Sequence, residues 1–77
     1  MPGSQVETYS GIRLHERPRR FLWEGNWLEV CKVLDQGRSP DALWFKVAAD
    51  DRRVYHLKYR FDEDAWEIRP AGKLNIP

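Results

Sequence analysis

Apolar and polar residues alternate one by one along most of this chain, and the periodicity of a helix is nearly absent. A period of two is typical of β-strands that bury one face. The alternating apolar positions are Ile12 and Leu14, Phe21 and Trp23, Leu28 and Val30, Phe45 and Val47, Tyr55, Leu57 and Tyr59, and Trp66 and Ile68. Turn-forming residues separate these runs. The sequence therefore predicts an all-β fold, a small curled antiparallel sheet or half-open barrel of five to six short strands.

The length of 77 residues predicts one domain. Residues 1–10 and 70–77 contain prolines, glycines and polar residues and are predicted to be flexible, disordered tails. Residues 11–69 are then the single β domain. A domain of this size buries only about 60% of its unfolded surface, so its core is small. Four Trp, three Tyr and three Phe supply much apolar area from few residues.

The dipeptide Gly25-Asn26 is of a kind favoured in two-residue hairpin turns. The pairs that this turn predicts are Glu24 with Trp27, Trp23 with Leu28, and Phe21 with Val30. The last two pairs are wholly apolar and define the core face, because residues that face each other across strands point to the same side. Trp23 is thus predicted to be a core residue, and Trp27 is predicted to lie on the other face.

Pleat parity also predicts two later hairpins, one around Asp50–Arg52 and one around Phe61–Asp64. Their core pairs are Phe45 with Leu57, Val47 with Tyr55, Tyr59 with Trp66, and Leu57 with Ile68. Their outer pairs are Trp44 with Lys58, Lys46 with His56, Lys58 with Glu67, and His56 with Arg69. Opposite charges across the last strands support this register.

The alternation breaks after Val30, because a regular strand would turn Lys32 toward the core. A β-bulge near Cys31-Lys32 would return Val33 to the core face and bend the strand, as a small barrel requires. The segment EVCKVLDQG is the one stretch that could be helical, but its β-branched valines and its continuity with a strand favour a strand.

The composition limits the classes of function. A single cysteine, Cys31, excludes an internal disulfide and favours a cytoplasmic protein. No run approaches the roughly 20 apolar residues of a membrane span, and no signal-peptide core is present. The net charge of +1 is not the strongly basic balance of a duplex-binding domain.

Catalytic and metal-binding chemistry are not expected. The potential ligands His15, His56 and Cys31 are scattered singly along the chain, whereas a structural metal site needs four ligands at suitable spacing. The serines have no evident histidine partner, and the carboxylates of residues 62–64 occupy a turn where a solvated tip is expected. We therefore predict no enzyme activity, no cofactor and no metal.

The outer face of the middle strands is the first candidate site. It carries Trp44, Lys46, His56, Lys58, Glu67 and Arg69. Three interpretations remain open: a simple cation–π pair between Trp44 and Lys58, a platform for single-stranded nucleic acid, or a protein-binding patch.

The segment RLHERPRR is the second candidate, because it gathers four arginines around a strand-breaking proline, Pro18. It is expected to be a solvated positive edge that wraps a corner, or else a contact for phosphate or for an acidic protein. The complete predicted interaction surface consists of Trp27, Trp44, Lys46, His56, Lys58, Arg69, Arg13, Arg17, Arg19 and Arg20.

The string RPRRFLWEGNWLEVCKVL resembles the RP-x-x-F-x-W-x-G signature of a family of small uncharacterised bacterial domains. The later order is similar too: an aromatic-rich strand, WFKV, an acidic turn, a Tyr-x-Leu strand and a strand with Trp66. The family occurs alone or as a C-terminal appendage of Y-family translesion DNA-polymerase-like proteins. The resemblance covers about residues 11–69 and implies a context of DNA repair or replication.

These observations predict a non-catalytic interaction module of the bacterial cytoplasm, whose partner is a protein, within DNA-damage handling. The alternative is a weak single-stranded nucleic-acid-binding module that uses Trp44, Lys46, Lys58 and the arginine cluster. A small-ligand binder or minor enzyme is the third candidate. An unpaired edge strand at residues 12–15 could also pair with a second copy.

Overall fold

The computed structural model describes residues 6–8 and 17–73, and the regular elements in these ranges are all β-strands. They are β1 (Val6–Thr8), β2 (Pro18–Trp23), β3 (Asn26–Ser39), β4 (Ala42–Ala49), β5 (Arg53–Arg60) and β6 (Ala65–Lys73). Each strand pairs antiparallel with the next, so the sheet order follows the chain from β1 to β6. The predicted fold class, an all-β curled sheet or half-open barrel, is confirmed.

The core lies on the inner face of the curled sheet, where β2 packs across β5. Phe21 is 0% exposed, and its ring meets the ring of Tyr55 edge-on with centroids 5.0 Å apart. Trp23 packs against the same tyrosine at 5.8 Å. The buried cluster consists of Val6, Phe21, Leu43, Phe45, Val47, Ala49, Tyr55, Leu57 and Tyr59. Large rings therefore fill the core of a small domain, as the composition predicts.

The long strand β3 bends at two bulges along its pairing with β4. The pairing passes from Val30 to Lys32 and again from Val33 to Asp35, so one residue is skipped each time. The first irregularity confirms the predicted bulge near Cys31-Lys32, and Val33 packs against the core as expected. The second was not predicted. Each bulge increases the local twist, so β3 can bend between the part that pairs with β2 and the part that pairs with β4.

The first hairpin turns at Glu24-Gly25, not at the predicted Gly25-Asn26. Both turn residues have positive φ, 51° and 84°, the pattern of a type I′ turn. The pairs are Trp23 with Asn26, Leu22 with Trp27, Phe21 with Leu28, and Arg20 with Glu29. The predicted partners were therefore wrong by two residues. A shift of two keeps every side chain on its face, so Trp23 still packs against the core and Trp27 still points outward.

This turn provides a test of the register. We expect Glu24→Asn to raise the free energy of unfolding by about 0.5–1 kcal/mol, because asparagine tolerates the left-handed conformation better than glutamate does. Urea denaturation followed by tryptophan fluorescence measures the change.

The control for that turn is Asn26→Thr. Asn26 is the first residue of β3 and is extended, so a β-branched residue should cost nothing there. A clear loss of stability in this variant would place Asn26 in the turn and contradict the observed register.

The second and third hairpins have the predicted register throughout. Phe45 pairs with Leu57 and Val47 with Tyr55, while Tyr59 pairs with Trp66 and Leu57 with Ile68. The three-residue loop between β4 and β5 lacks a glycine, and Arg52 takes the left-handed position with φ of 67°. Asp51 braces this loop: its carboxylate accepts hydrogen bonds from the Arg53 N–H (3.0 Å) and the Tyr55 hydroxyl (2.6 Å).

The sheet extends into both predicted tails. Val6–Thr8 forms β1 against β2, and Val6 is buried, which corrects the boundary at residue 11. β6 continues beyond residue 69 to Lys73 despite Pro70 and Gly72. An edge strand tolerates these residues because one of its sides makes no backbone hydrogen bonds to a neighbouring strand. The irregular pairing opposite Val54 and Tyr55 also accommodates them. Residues 1–5 and 74–77 of the predicted tails lie outside the described residues.

The predicted strand at residues 12–15, with Arg13 and His15, also lies outside the described residues. Within residues 6–8 and 17–73, the structure contains no helix with the length and apolarity needed to cross a membrane.

Candidate functional site

The register arranges the outer side chains of β3–β6 in rows that run across the strands. One row joins Asp35, Lys46, His56 and Arg69, and the neighbouring row joins Gly37, Trp44, Lys58 and Glu67. Every outer-face pair predicted among these residues is present. We call Trp44, Lys46, His56, Lys58 and Arg69 the Trp44 patch.

Trp44 lies flat over the neighbouring strand because its partner on β3 is Gly37. A Cβ atom added at Gly37 would lie 2.6 Å from the indole Nε1, well inside van der Waals contact. Glycine in the interior of a strand often marks such a close approach, and an aromatic ring over it restores the lost packing. Gly37 thus sets the orientation of the half-buried ring.

Trp44 stacks with His56, not with Lys58. The two rings are inclined by 20° with centroids 5.6 Å apart, and His56 is the diagonal neighbour of Trp44 across the β4–β5 ladder. The cation–π pair expected between Trp44 and Lys58 is therefore wrong. The outcome is a stacked pair of aromatic rings across β4 and β5.

The charges of the Trp44 patch are only partly balanced. Among the residues that the structure describes, neither Lys46 nor Arg69 lies within ion-pair distance of a carboxylate. Glu67 borders a shallow depression with His56, Lys58 and Arg69, but its carboxylate lies 3.9 Å from the Arg60 guanidinium. Asp35 lies opposite Lys46 on β3 without forming an ion pair with it, so Lys46 and Arg69 leave this side of the patch with only a small excess of positive charge.

The opposite end of this face is acidic and internally paired. Arg60 lies 3.4 Å from Asp62 and 3.7 Å from Glu63, and these carboxylates raise the pKa of its guanidinium. The Tyr59 hydroxyl donates a hydrogen bond to Asp64, which is the first cause of the raised pKa of that phenol. The acidic turn is exposed, as expected of a solvated tip, and it is also bonded to β5.

Asp41 completes this end of the sheet. The Ser39 hydroxyl donates to its carboxylate at 2.8 Å and lowers its pKa, and the charges of Lys58 and Arg60 lower it further. Lys58 thus lies near carboxylates on one side, whereas Lys46 and Arg69 are exposed, with Asp35 opposite Lys46 on β3.

A second cluster lies on the outer face of β1–β3 and consists of Glu7, Arg20 and Trp27, which we call the Trp27 patch. The Arg20 guanidinium lies over the indole of Trp27, 4.7 Å from the ring centroid. Two hydrogen bonds, of 2.8 and 3.2 Å, join Arg20 to the Glu7 carboxylate. The hydrogen-bonded pair lowers the pKa of Glu7 and raises that of Arg20.

The structure divides the predicted interaction surface into these two patches. Trp27 and Gly37, the residue beneath Trp44, are ten positions apart on β3. At about 3.3 Å per residue, this is about 30 Å along the strand. The arginine cluster is divided as well: Arg20 belongs to the Trp27 patch, Arg17 and Arg19 are exposed beside buried Pro18, and Arg13 lies outside the described residues.

The sequence reasoning missed two residues of the candidate site, Glu7 and Gly37. Glu7 lay in a segment assigned to a tail, and no periodic signal marks a strand of three residues. Gly37 had a usable signal, since an isolated glycine within a strand pattern suggests a close backbone approach.

No protein-family model, curated protein or solved structure matches this chain in sequence or fold comparison. The described ranges also hold no group of three or more His, Cys, Asp or Glu side chains placed to bind a metal ion. The fold and the two patches therefore define the molecule as a curled all-β sheet with aromatic and charged clusters on its outer face.

Proposed function

We propose that this protein is a non-catalytic interaction module that docks on a partner protein through the Trp27 patch. The observation that carries the proposal is an exposed tryptophan whose surroundings are already fixed. Trp27 is 42% exposed, and in the described ranges only Leu34, at 39%, is a comparably exposed large apolar side chain.

The arrangement lowers the entropic cost of binding. Arg20 cannot swing freely, because its guanidinium is held by Glu7 on one side and lies against the indole on the other. Ordering long side chains at an interface costs about 0.5–1.5 kcal/mol each, and a preorganised pair avoids much of that cost. Trp and Arg are also the residue types most enriched among interface hot spots.

The charge balance of the Trp27 patch favours a protein surface. The positive charge of Arg20 is matched by Glu7, and Glu29 lies opposite Arg20 on β3. A phosphate group would have to compete with these carboxylates, whereas a partly apolar protein surface can bury the indole and leave the ion pair at its rim.

The resemblance to the RP-x-x-F-x-W-x-G domains suggests the setting. Those domains accompany translesion-polymerase-like proteins, so we propose a partner in DNA-damage handling and a cytoplasmic location in a bacterium. The matching residues Phe21 and Trp23 are core residues, and the setting is therefore supported by the resemblance alone.

The test is affinity capture with the tagged full-length protein from a lysate of the cells that encode it. We expect a specific protein to be retained by the wild type and lost with Trp27→Ala. If Trp27 is a hot spot, Trp27→Ala should weaken the affinity of the purified complex by about 30-fold or more. Surface plasmon resonance measures this change.

Trp44→Ala is the matched control, because it removes the same side chain from the other patch and should retain the partner. Arg20→Gln should give an intermediate loss by releasing the indole. Equal retention by wild type and Trp27→Ala would refute this function.

A further inference from the structure

The Trp44 patch is a second site, independent of the proposed docking surface. We infer that it binds single-stranded nucleic acid, with Trp44 and His56 stacking on bases and Lys46, Lys58 and Arg69 contacting phosphates.

The stacking surface is the first support. Trp44 and His56 present nearly parallel rings, and Gly37 allows the indole to lie along the sheet instead of standing upright. Single-strand-binding proteins combine such rings with a basic groove, since every base offers a π-face. An acidic peptide, by contrast, needs the cations but has no use for a stacked pair of rings.

The position of the charges is the second support. Lys46, His56 and Arg69 form one cross-strand row directly beside Trp44, with neighbouring strands about 4.8 Å apart. The described residues provide no ion-pair partner for Lys46 or Arg69. Phosphates of a strand that stacks on the rings would meet these cations without breaking an ion pair of the described residues, and Asp35, opposite Lys46 on β3, is the one carboxylate in the row.

The low net charge of +1 favours single strands over duplex. Duplex binding depends chiefly on neutralising many phosphates, and this face offers only a few cations. In a single strand the unpaired bases are free to stack, so the rings supply much of the affinity.

The experiment is fluorescence anisotropy with a labelled oligothymidylate of about 12 nucleotides, titrated with the full-length protein at about 50 and 200 mM NaCl. We expect saturable binding at the lower salt and about 15-fold weaker binding at the higher salt. That loss corresponds to a slope near −2 for about three phosphate contacts in a single strand. A duplex of equal length should bind more weakly.

Three variants assign the contacts. Trp44→Ala should weaken binding by about 5- to 100-fold through lost stacking. Gly37→Ala leaves every ring and charge in the chain but displaces the indole, so it should also weaken binding. Lys46→Gln with Arg69→Gln changes only exposed side chains and should make the salt slope shallower by about 1.4.

Two matched controls should bind like wild type. Trp27→Ala removes a tryptophan from the other patch, and Arg53→Gln removes an exposed cation outside the Trp44 patch. Because the lysine and arginine changes are on the surface, they keep the proposal testable even where Trp44→Ala fails to fold.

Three results would overturn the inference. They are the absence of binding at about 50 mM NaCl, unchanged binding in both Trp44→Ala and Gly37→Ala, and equally strong competition by polyglutamate. The last would assign the face to an acidic protein segment. None of these results bears on capture through Trp27, so the two proposals fail separately.

Discussion

Phe21→Ala is expected to lower the free energy of unfolding by about 3–5 kcal/mol. Phe21 is fully buried, and its ring packs edge-on against Tyr55 where β2 crosses β5. Truncation removes this contact and leaves a cavity that the surrounding strands cannot fill. Native domains are stable by only about 5–15 kcal/mol, so much of the stability should be lost. Urea denaturation followed by near-UV circular dichroism measures the loss.

Leu22→Ala is the matched control, because Leu22 is the next residue on the same strand and points to the outer face beside Trp27. It is only partly buried and should cost about 1 kcal/mol. Similar losses in the two variants would mean that β2 does not present alternate faces to core and solvent, which would contradict the observed packing.

The faces of the strands could be predicted from the sequence because side-chain direction alternates strictly along a strand. Trp23 and Trp27 show how far this reasoning extends. Their faces were predicted correctly, although the turn was misplaced by one residue, since moving the turn from Gly25-Asn26 to Glu24-Gly25 shifts the pairing by two. The assignment of side chains to faces is thus insensitive to a turn misplaced by one residue, because the resulting register shift is an even number.

Strand limits were harder to predict. β1 has three residues and buries one apolar side chain, Val6, so its periodic signal is too short to detect. At the other end, Pro70 and Gly72 indicate a break, but only neighbouring strands decide whether an edge position tolerates them. Both errors arise from tertiary context and not from local propensity.

The candidate site could be predicted as a set of residues but not as an arrangement. The register correctly placed Lys46, His56 and Arg69 in one row. It did not show that Trp44 leans over Gly37 toward β3, because β3 contains a second bulge that changes which residue faces the ring. The separation of Trp27 from Trp44 likewise depends on the length of β3.

Stability is expected to fall by about 2–3 kcal/mol between pH 10 and 12 because of Tyr55 alone. Tyr55 is 1% exposed, and its hydroxyl donates a 2.6 Å hydrogen bond to Asp51. Burial, followed by this hydrogen bond, raises the pKa of Tyr55 from 10 to about 12. The folded state therefore holds the proton more tightly than the unfolded state does. The contribution is complete below pH 10 and is lost as the pH rises toward 12.

Tyr55→Phe isolates this effect, because phenylalanine fills the same space without an ionisable group. Near neutral pH the variant should be less stable by about 0.5–1.5 kcal/mol, the cost of one hydrogen bond. Its deficit should shrink and then reverse as the pH approaches 12, since wild type alone loses the Tyr55 contribution. Unfolding free energies from urea curves between pH 9 and 12 measure the difference, and parallel curves for the two proteins would contradict it.

Asp51→Asn separates the two causes of the raised pKa. The variant keeps Tyr55 buried but replaces the carboxylate that accepts the hydrogen bond of its hydroxyl with a neutral amide. Because burial is the larger cause, most of the alkaline loss of stability should remain in Asp51→Asn and disappear only in Tyr55→Phe. The raised pKa of Tyr59 adds a loss of the same sign in all three proteins, so it cancels in the comparison. A flat pH profile in Asp51→Asn would instead make the loop carboxylate the main cause.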